Sequence, residues 1–347
     1  MNFIFYIAKK YSIPIIEPIV KSLKTDKNNN ISFFVSEKVN RALPKEYNKY
    51  TVYKKFKEIK NNNFDFVIVP GIYVDFRLSG IKVQIFHGLG IEKESHYSIK
   101  HFFDIYLTSG PFVTNRFNKL RKKYKYFLVK ETGWSKIDHI LNYPKENLKD
   151  KYNIPKNKKI ILYAPTFSNK MESATEIIPN LPKLIHNNEL WLVKLHELAD
   201  KQLIDRLKKI KNIKIIYDYD ITPYLHIADI MISDISSVVY EFMVLDKPII
   251  TYKIDQRTDK GINCKNINEL RTAIERSYKF PDEYREERRK HLQEINPYLD
   301  GKISENIIKY LINIKNNNLK PKKRKPLNLI RKLKILYHDI FKEGYLR

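Results

Sequence analysis

A chain whose apolar residues come in short, nearly unbroken runs rich in Ile, Val, Phe and Tyr has few ways to fold, and that is the pattern here. In the first half the runs are Phe3–Ala8, Ile31–Val35, Phe64–Val69, Val83–Phe86, Ile105–Thr108 and Tyr126–Val129. In the second half they are Ile160–Tyr163, Leu190–Leu195, Ile213–Tyr217, Ile230–Ser233 and Pro248–Tyr252. Runs without polar alternation suit parallel strands buried on both faces, with helices as the crossovers. Between the two series, residues 142–159 are polar and carry Pro144, Pro155 and several lysines, which is a linker composition. The expectation is an α/β protein of two parallel-sheet domains, residues 1–145 and 146–314, followed by a tail over 315–347.

Composition narrows the partners. With 347 residues, 43% of them hydrophobic, the chain can fill two cores, and 13% aromatic residues with only 9 glycines exclude a disordered or collagen-like polymer. The single cysteine, Cys264, excludes a disulfide framework and a cysteine-cluster metal site, and fits a reducing compartment. A net charge of +26 attracts polyanions, so nucleic acid, nucleotide donors, anionic polymers and acidic membrane leaflets all qualify. No stretch reaches the ~20 apolar residues that span a bilayer. Charge follows the N-terminal apolar run, at Lys9 and Lys10, where a signal peptide would put it first. The N-terminus therefore reads as the first buried strand of a cytoplasmic protein. Three Asn triplets, at 28–30, 61–63 and 316–318, read as loop tips, and His96 and His101 as solvated side chains.

In open α/β sheets ligands bind beyond the carboxyl ends of the strands. Four such places carry chemistry. In Phe86-His87-Gly88-Leu89-Gly90, an imidazole at a strand end precedes two glycines that let backbone approach a ligand. His87 can take a proton from a hydroxyl near neutral pH; the plainer reading is a structural histidine in a glycine turn. His196 ends the run Trp191–Leu195 in the same way, so each half offers one strand-end histidine to a cleft between them. Ser233-Asp234-Ile235-Ser236-Ser237 ends a strand and opens a helix at Val238, where hydroxyls and free N–H groups suit a phosphate. Glu241, one turn further on, suits ribose hydroxyls, although plain helix capping by the serines explains the same residues. Finally Thr166 and Ser168 follow Ala164-Pro165 in a polar turn. The chain has no P-loop, paired-cysteine zinc signature or His-Glu-x-x-His.

Taken in order, these pieces resemble the CDP-glycerol glycerophosphotransferase family, the teichoic-acid primases and polymerases of bacterial walls. The resemblance also rests on Glu131-Thr132-Gly133-Trp134-Ser135-Lys136-Ile137-Asp138, Lys247-Pro248-Ile249-Ile250 and Tyr298-Leu299-Asp300-Gly301-Lys302, and runs to about Leu311. It implies a GT-B-like fold, two Rossmann-like domains with the site between them. It implies transfer of glycerol phosphate or a related polyol phosphate from a CDP-linked donor to a lipid- or glycan-linked acceptor hydroxyl, with release of CMP. On that resemblance His87 is the base and His196 supports the donor pyrophosphate. Ser236 and Ser237 bind phosphate, with Gly88, Thr166, Asp234 and Glu241 on the donor side. Neither metal nor cofactor is expected, since no carboxylate pair of metal-holding type sits at these strand ends. Two departures stand out: Ser135 where the family often has Pro, and Ser168-Asn169-Lys170 where an Arg often follows the Ala-Pro-Thr element.

Two other readings stay open. One is a GT-B glycosyltransferase or epimerase using a nucleotide-sugar, whose leaving group would be a nucleoside diphosphate. The other is a basic nucleic-acid module, disfavoured because the aromatic residues sit inside strand-like runs, so no nucleic-acid partner is expected. The tail adds a membrane. Residues 315–347 hold eleven Lys or Arg against two acids. A helix opened by Pro326 and closed by Gly344 puts Leu329, Ile330, Leu333, Leu336, Tyr337, Ile340 and Phe341 on one face, with Arg331, Lys332, Lys334 and Lys342 off it. Docking of that face on the protein's own core, or on a second subunit, is the competing explanation. The run Lys322–Lys325 favours anionic lipid, and with it a place on the inner face of the cell membrane.

Overall fold

The computed structural model describes residues 1–166, 173–196 and 199–341, the last four by backbone alone. The chain divides into two compact units. The first contains residues 1–87, 94–142 and the chain from Ile295 onward; the second contains 88–93 and 143–294.

The first unit is built on seven strands: β1 (Asn2–Ile7), β2 (Asn30–Val35), β3 (Thr51–Tyr53), β4 (Phe66–Val69), β5 (Ile81–Gln84), β6 (Ile105–Thr108) and β7 (Leu128–Glu131). They pair in parallel in the order β3-β2-β1-β4-β5-β6-β7. The second unit has six: β8 (Lys159–Tyr163), β9 (Glu189–Val193), β10 (Ile213–Ile215), β11 (Ile230–Ser233), β12 (Ile249–Tyr252) and β13 (Ile262–Cys264). Their order, again parallel, is β10-β9-β8-β11-β12-β13. Both sheets thus grow outward from a first strand and reverse direction beside it, at β1/β4 and at β8/β11. Those are the topological switch points of doubly wound folds.

The apolar runs form these sheets because both faces are covered. Phe3 and Phe5 of β1 are fully buried and stack on Phe66 of β4 and Phe33 of β2, with ring centroids 5.4 and 5.6 Å apart. The expected strands are all present; β3 and β13 were missed. Each is three residues long and sits at a sheet edge, where partial exposure leaves little apolar signal.

One domain boundary differs from expectation. Residues 295–314 were expected in the second domain but pack in the first unit. The reason lies in two motifs that lock together. The buried Asp138 carboxylate accepts the N–H groups of Ile303 (3.1 Å) and Ser304 (2.6 Å), capping the helix Ile303–Asn316. Tyr298 donates to Glu131, and Trp134 N–H to the Asn296 side chain. Gly133 has φ +88°, and a Cβ there would lie 2.8 Å from Ile303, so only glycine fits the closure. Ser135, one of the two departures from the family pattern, is buried and donates its hydroxyl to the carbonyl of Ile15.

The tail is a helix over Leu329–Phe341, docked on the first unit. Ile335, outside the expected apolar face, is its buried residue, at 3% exposure. Lys325 pairs with Asp104 at 2.8 Å and Lys332 lies over the Phe76 ring, so part of the basic run serves docking. Lys342 and Gly344 lie outside the described residues, as does the side chain of Ile340. Among the described residues no helix is long and apolar enough to cross a membrane.

Candidate active site

Each switch point carries the side chains singled out in the sequence. In the first unit β1, β4 and β5 are neighbours, and the loops after them enclose a cavity of about 230 Å³. Ala8 and Lys9 come from the first loop, Gly71 and Tyr73 from the second, and His87 from the third, with Tyr11 and Ser12 completing the wall. His87 is exposed, its ring centroid 6.1 Å from that of Tyr11.

The strand stops at Gln84, short of the expected Phe86, because Phe86 is left-handed at φ +60°. A bulky residue there is strained and persists only if its surroundings hold it. They do: its ring lies against His96 (4.8 Å) and edge-on to Phe117 (5.2 Å), and its carbonyl accepts the Trp134 indole N–H at 3.1 Å. His96 is therefore not solvated as expected. Burial, with the charges of His87 and Arg116 secondary, pushes its pKa down to about 3, so it acts as a neutral packing ring. His101 is likewise half-buried and hydrogen-bonded to Tyr126.

In the second unit the segments that follow the neighbouring strands β9, β8 and β11 carry His196, Thr166 and Asp234-Ile235-Ser236-Ser237. The buried Asp234 carboxylate accepts the N–H of Thr166 at 2.7 Å, the N–H of Ser173 at 3.1 Å and the hydroxyl of Ser173 at 2.9 Å. Burial raises its pKa and these bonds oppose the rise. Its geometry is that of a brace fixing the Thr166 turn. The helix after it, Val238–Met243, is six residues long, and the Ser237 side chain makes no capping bond, so the capping explanation for that hydroxyl does not apply. Ser236 and Ser237 are half-exposed, Glu241 is buried, and His196 is exposed. Ser168 lies outside the described residues, as do Asn169 and Lys170.

Sequence reasoning put Gly88 on the donor side but missed Glu92 and Lys93 of the segment Gly88–Lys93, which packs in the second unit although it follows β5 of the first. Gly88 approaches so closely that a Cβ there would sit 3.1 Å from the Ser237 hydroxyl. Lys93 donates to the Thr166 hydroxyl at 3.3 Å, placing a cation among the phosphate-type groups. Glu92 anchors the segment: it accepts from the Tyr240 hydroxyl and lies 3.5 Å from Lys260, which is 2% exposed. Burial lowers the Lys260 pKa and Glu92 opposes that. The signal available in the sequence was the pair Glu92-Lys93 directly after the glycine turn. Among the described residues no three His, Cys, Asp or Glu side chains gather as a metal set.

Two parallel sheets with chemistry at both switch points define a GT-B-like protein, and solved structures agree. The wall teichoic acid polymerase TagF matches with a TM-score of 0.70 at 16% identity, over 91% of this chain and 89% of that one. A Staphylococcus aureus MnaA–UDP co-structure matches with a TM-score of 0.63 at 17% identity, over 94% and 100%. At such identities the likeness concerns the fold. The sequence goes further: residues 19–313 match the CDP-glycerol:poly(glycerophosphate) glycerophosphotransferase family, and the chain belongs to it. The teichoic acid glycerol-phosphate primase of Bacillus spizizenii is 31% identical over 188 residues, 49% of this chain and 48% of that protein. The ribitol-phosphate polymerase TarL of Staphylococcus aureus is 26% identical over 275 residues, 66% of this chain and 48% of that protein. The matches thus span about half the length of these relatives.

Proposed function

We propose that this chain transfers a polyol phosphate, with glycerol phosphate the first candidate, from a CDP-linked donor to an acceptor hydroxyl and releases CMP. The observation that carries this reading is family membership over residues 19–313, joined to an imidazole at one switch point and phosphate-type groups at the other. The acceptor oxygen attacks the phosphorus bearing the polyol, and its proton passes to His87. The bond from that phosphorus to CMP breaks, and CMP leaves with the electron pair. His196, the hydroxyls of Ser236 and Ser237, and Lys93 receive the charge that builds on the diphosphate. Asp234 and Gly88 position that set, and Thr166 contributes its hydroxyl. Four cationic or hydrogen-bonding side chains make a divalent cation unnecessary in this scheme. The acceptor is lipid- or glycan-linked, and the basic tail holds the enzyme on the anionic inner face of the cell membrane, in teichoic-acid or related polymer synthesis.

The test is a panel of CDP-polyols and UDP-sugars with product analysis. CMP release dependent on an acceptor, and unchanged in excess EDTA, is the expected result. Release of a nucleoside diphosphate would point to the nucleotide-sugar reading. Activity lost in EDTA and restored by magnesium would overturn the metal-free scheme.

A further inference from the structure

At the N-terminal ends of β5, β6 and β7, the edge of the first sheet away from His87, lies a cavity of about 510 Å³. Ile81, Ile105 and Leu128, each the first residue of its strand, form an apolar floor. The wall is the last turn of the helix Ile303–Asn316 and the chain that follows it. Lys315 and Lys325 are already paired, with Asp65 and Asp104, each at 2.8 Å. Lys320, Lys322, Lys323 and Arg324 are exposed on the same wall, with no carboxylate partner among the described residues. A short way along the chain an apolar ridge begins. Leu327, Leu329, Ile330, Leu333 and Tyr337 are all more than half exposed, and the last four share one face of the docked helix. So much contiguous exposed apolar surface marks an interaction site.

We propose that this cavity receives the phosphodiester headgroup of an anionic membrane phospholipid while the ridge beside it lies among the acyl chains. This rests on the reading that the tail meets a membrane, and adds to it a defined headgroup site. A pocket with an apolar floor and unpaired cations on its wall suits a group carrying both charge and a hydrocarbon stem. A soluble polyanion would satisfy the cations and leave the ridge in water.

Sedimentation with vesicles of phosphatidylglycerol and phosphatidylcholine in equal parts tests this, using the full chain. The variant K322A/R324A removes two cavity cations, and K27A/K60A removes two exposed lysines elsewhere on the first unit. Cavity loss should weaken binding roughly tenfold or more, and the matched control by much less. The triple variant L329S/I330S/L333S should also lose binding, with melting temperature reporting intact folding in each case. Equal weakening by the two double variants sinks the headgroup site and leaves the membrane reading standing. Wild-type protein that fails to sediment at all sinks the membrane reading itself. A thermal shift with inorganic phosphate that disappears in K322A/R324A, alongside vesicle binding that does not change in that variant, would assign the cavity to a soluble anion and overturn the proposal.

Discussion

The two units share a topology and differ in what they place at its switch point. The first exposes one imidazole beside a small cavity walled by tyrosines, and aims it with a strained residue clamped from three sides. The second exposes its own imidazole, His196, and gathers hydroxyls and a lysine around a turn braced by a buried carboxylate. A single proton acceptor depends on direction, so rigid packing suits it. A diphosphate spreads charge over many oxygens, so several donors held by hydrogen bonds suit that. On the proposed roles, the same fold solves two different positioning problems with two different kinds of force.

This contrast can be broken most directly at the groups themselves. His87→Ala should lower turnover by about 10²–10⁴-fold while donor affinity, measured by titration calorimetry, stays near wild type. Wild-type turnover would remove the imidazole from the chemistry. On the other unit, S236A/S237A should lower kcat/KM by roughly 10–100-fold, with donor affinity falling as well. If donor affinity falls instead in His87→Ala and holds in the serine variant, the division of labour is reversed.

The buried carboxylates sharpen the comparison. Asp138 in the first unit and Asp234 in the second each accept two backbone N–H groups. Removing either acceptor costs about 1–3 kcal/mol of stability. Asp138→Ala should show that loss by denaturant titration with per-molecule activity near normal in the folded fraction. Asp234→Ala should lose activity as well, because the Thr166 turn it fixes belongs to the proposed donor set.

The smallest effect concerns two buried lysines. Burial pushes Lys82 in the first unit and Lys247 in the second down to about 8 from 10.5. Between those pH values the unfolded chain binds more protons than the folded one, so stability rises with pH across that window. Lys82→Met should flatten the rise, read as melting temperature from pH 7.5 to 9.5, conditions set below tyrosine ionisation near ~10. Lys247 donates to three carbonyls, of Leu225, His226 and Ala228, so Lys247→Met should flatten the rise and also lower stability throughout. A pH profile unchanged in both variants would locate the linkage elsewhere.

Much of this was legible in the sequence because both sheets are covered on both faces, which writes each central strand as a continuous apolar run. The positions of His87, Thr166 and Ser236-Ser237 just beyond strand ends were legible too, because each follows an apolar run. What escaped were features set by distant partners. Nothing local to Phe86 announces a left-handed residue; its conformation depends on Trp134 and Phe117. The charged pair Glu92-Lys93 stands out after the glycine turn, yet nothing around it says that the segment packs with residues from 166 to 260. The tail was read as one apolar face, of which Leu329, Ile330, Leu333 and Tyr337 are exposed, yet Ile335, off that face, is what docks.

The return of the chain at Ile295 has a consequence for the order of manufacture. Asp138 leaves the ribosome long before Ile303 and Ser304, the groups it caps, and all of residues 143–294 are made in the interval. At synthesis speeds of ~5–20 residues per second, that wait is roughly 10–30 s. The unit begun first is thus completed last. Until then its sheet stands with the Asp138 acceptor and the seat of the helix Ile303–Asn316 open to water, a nascent form that offers chaperones and proteases an unfinished surface.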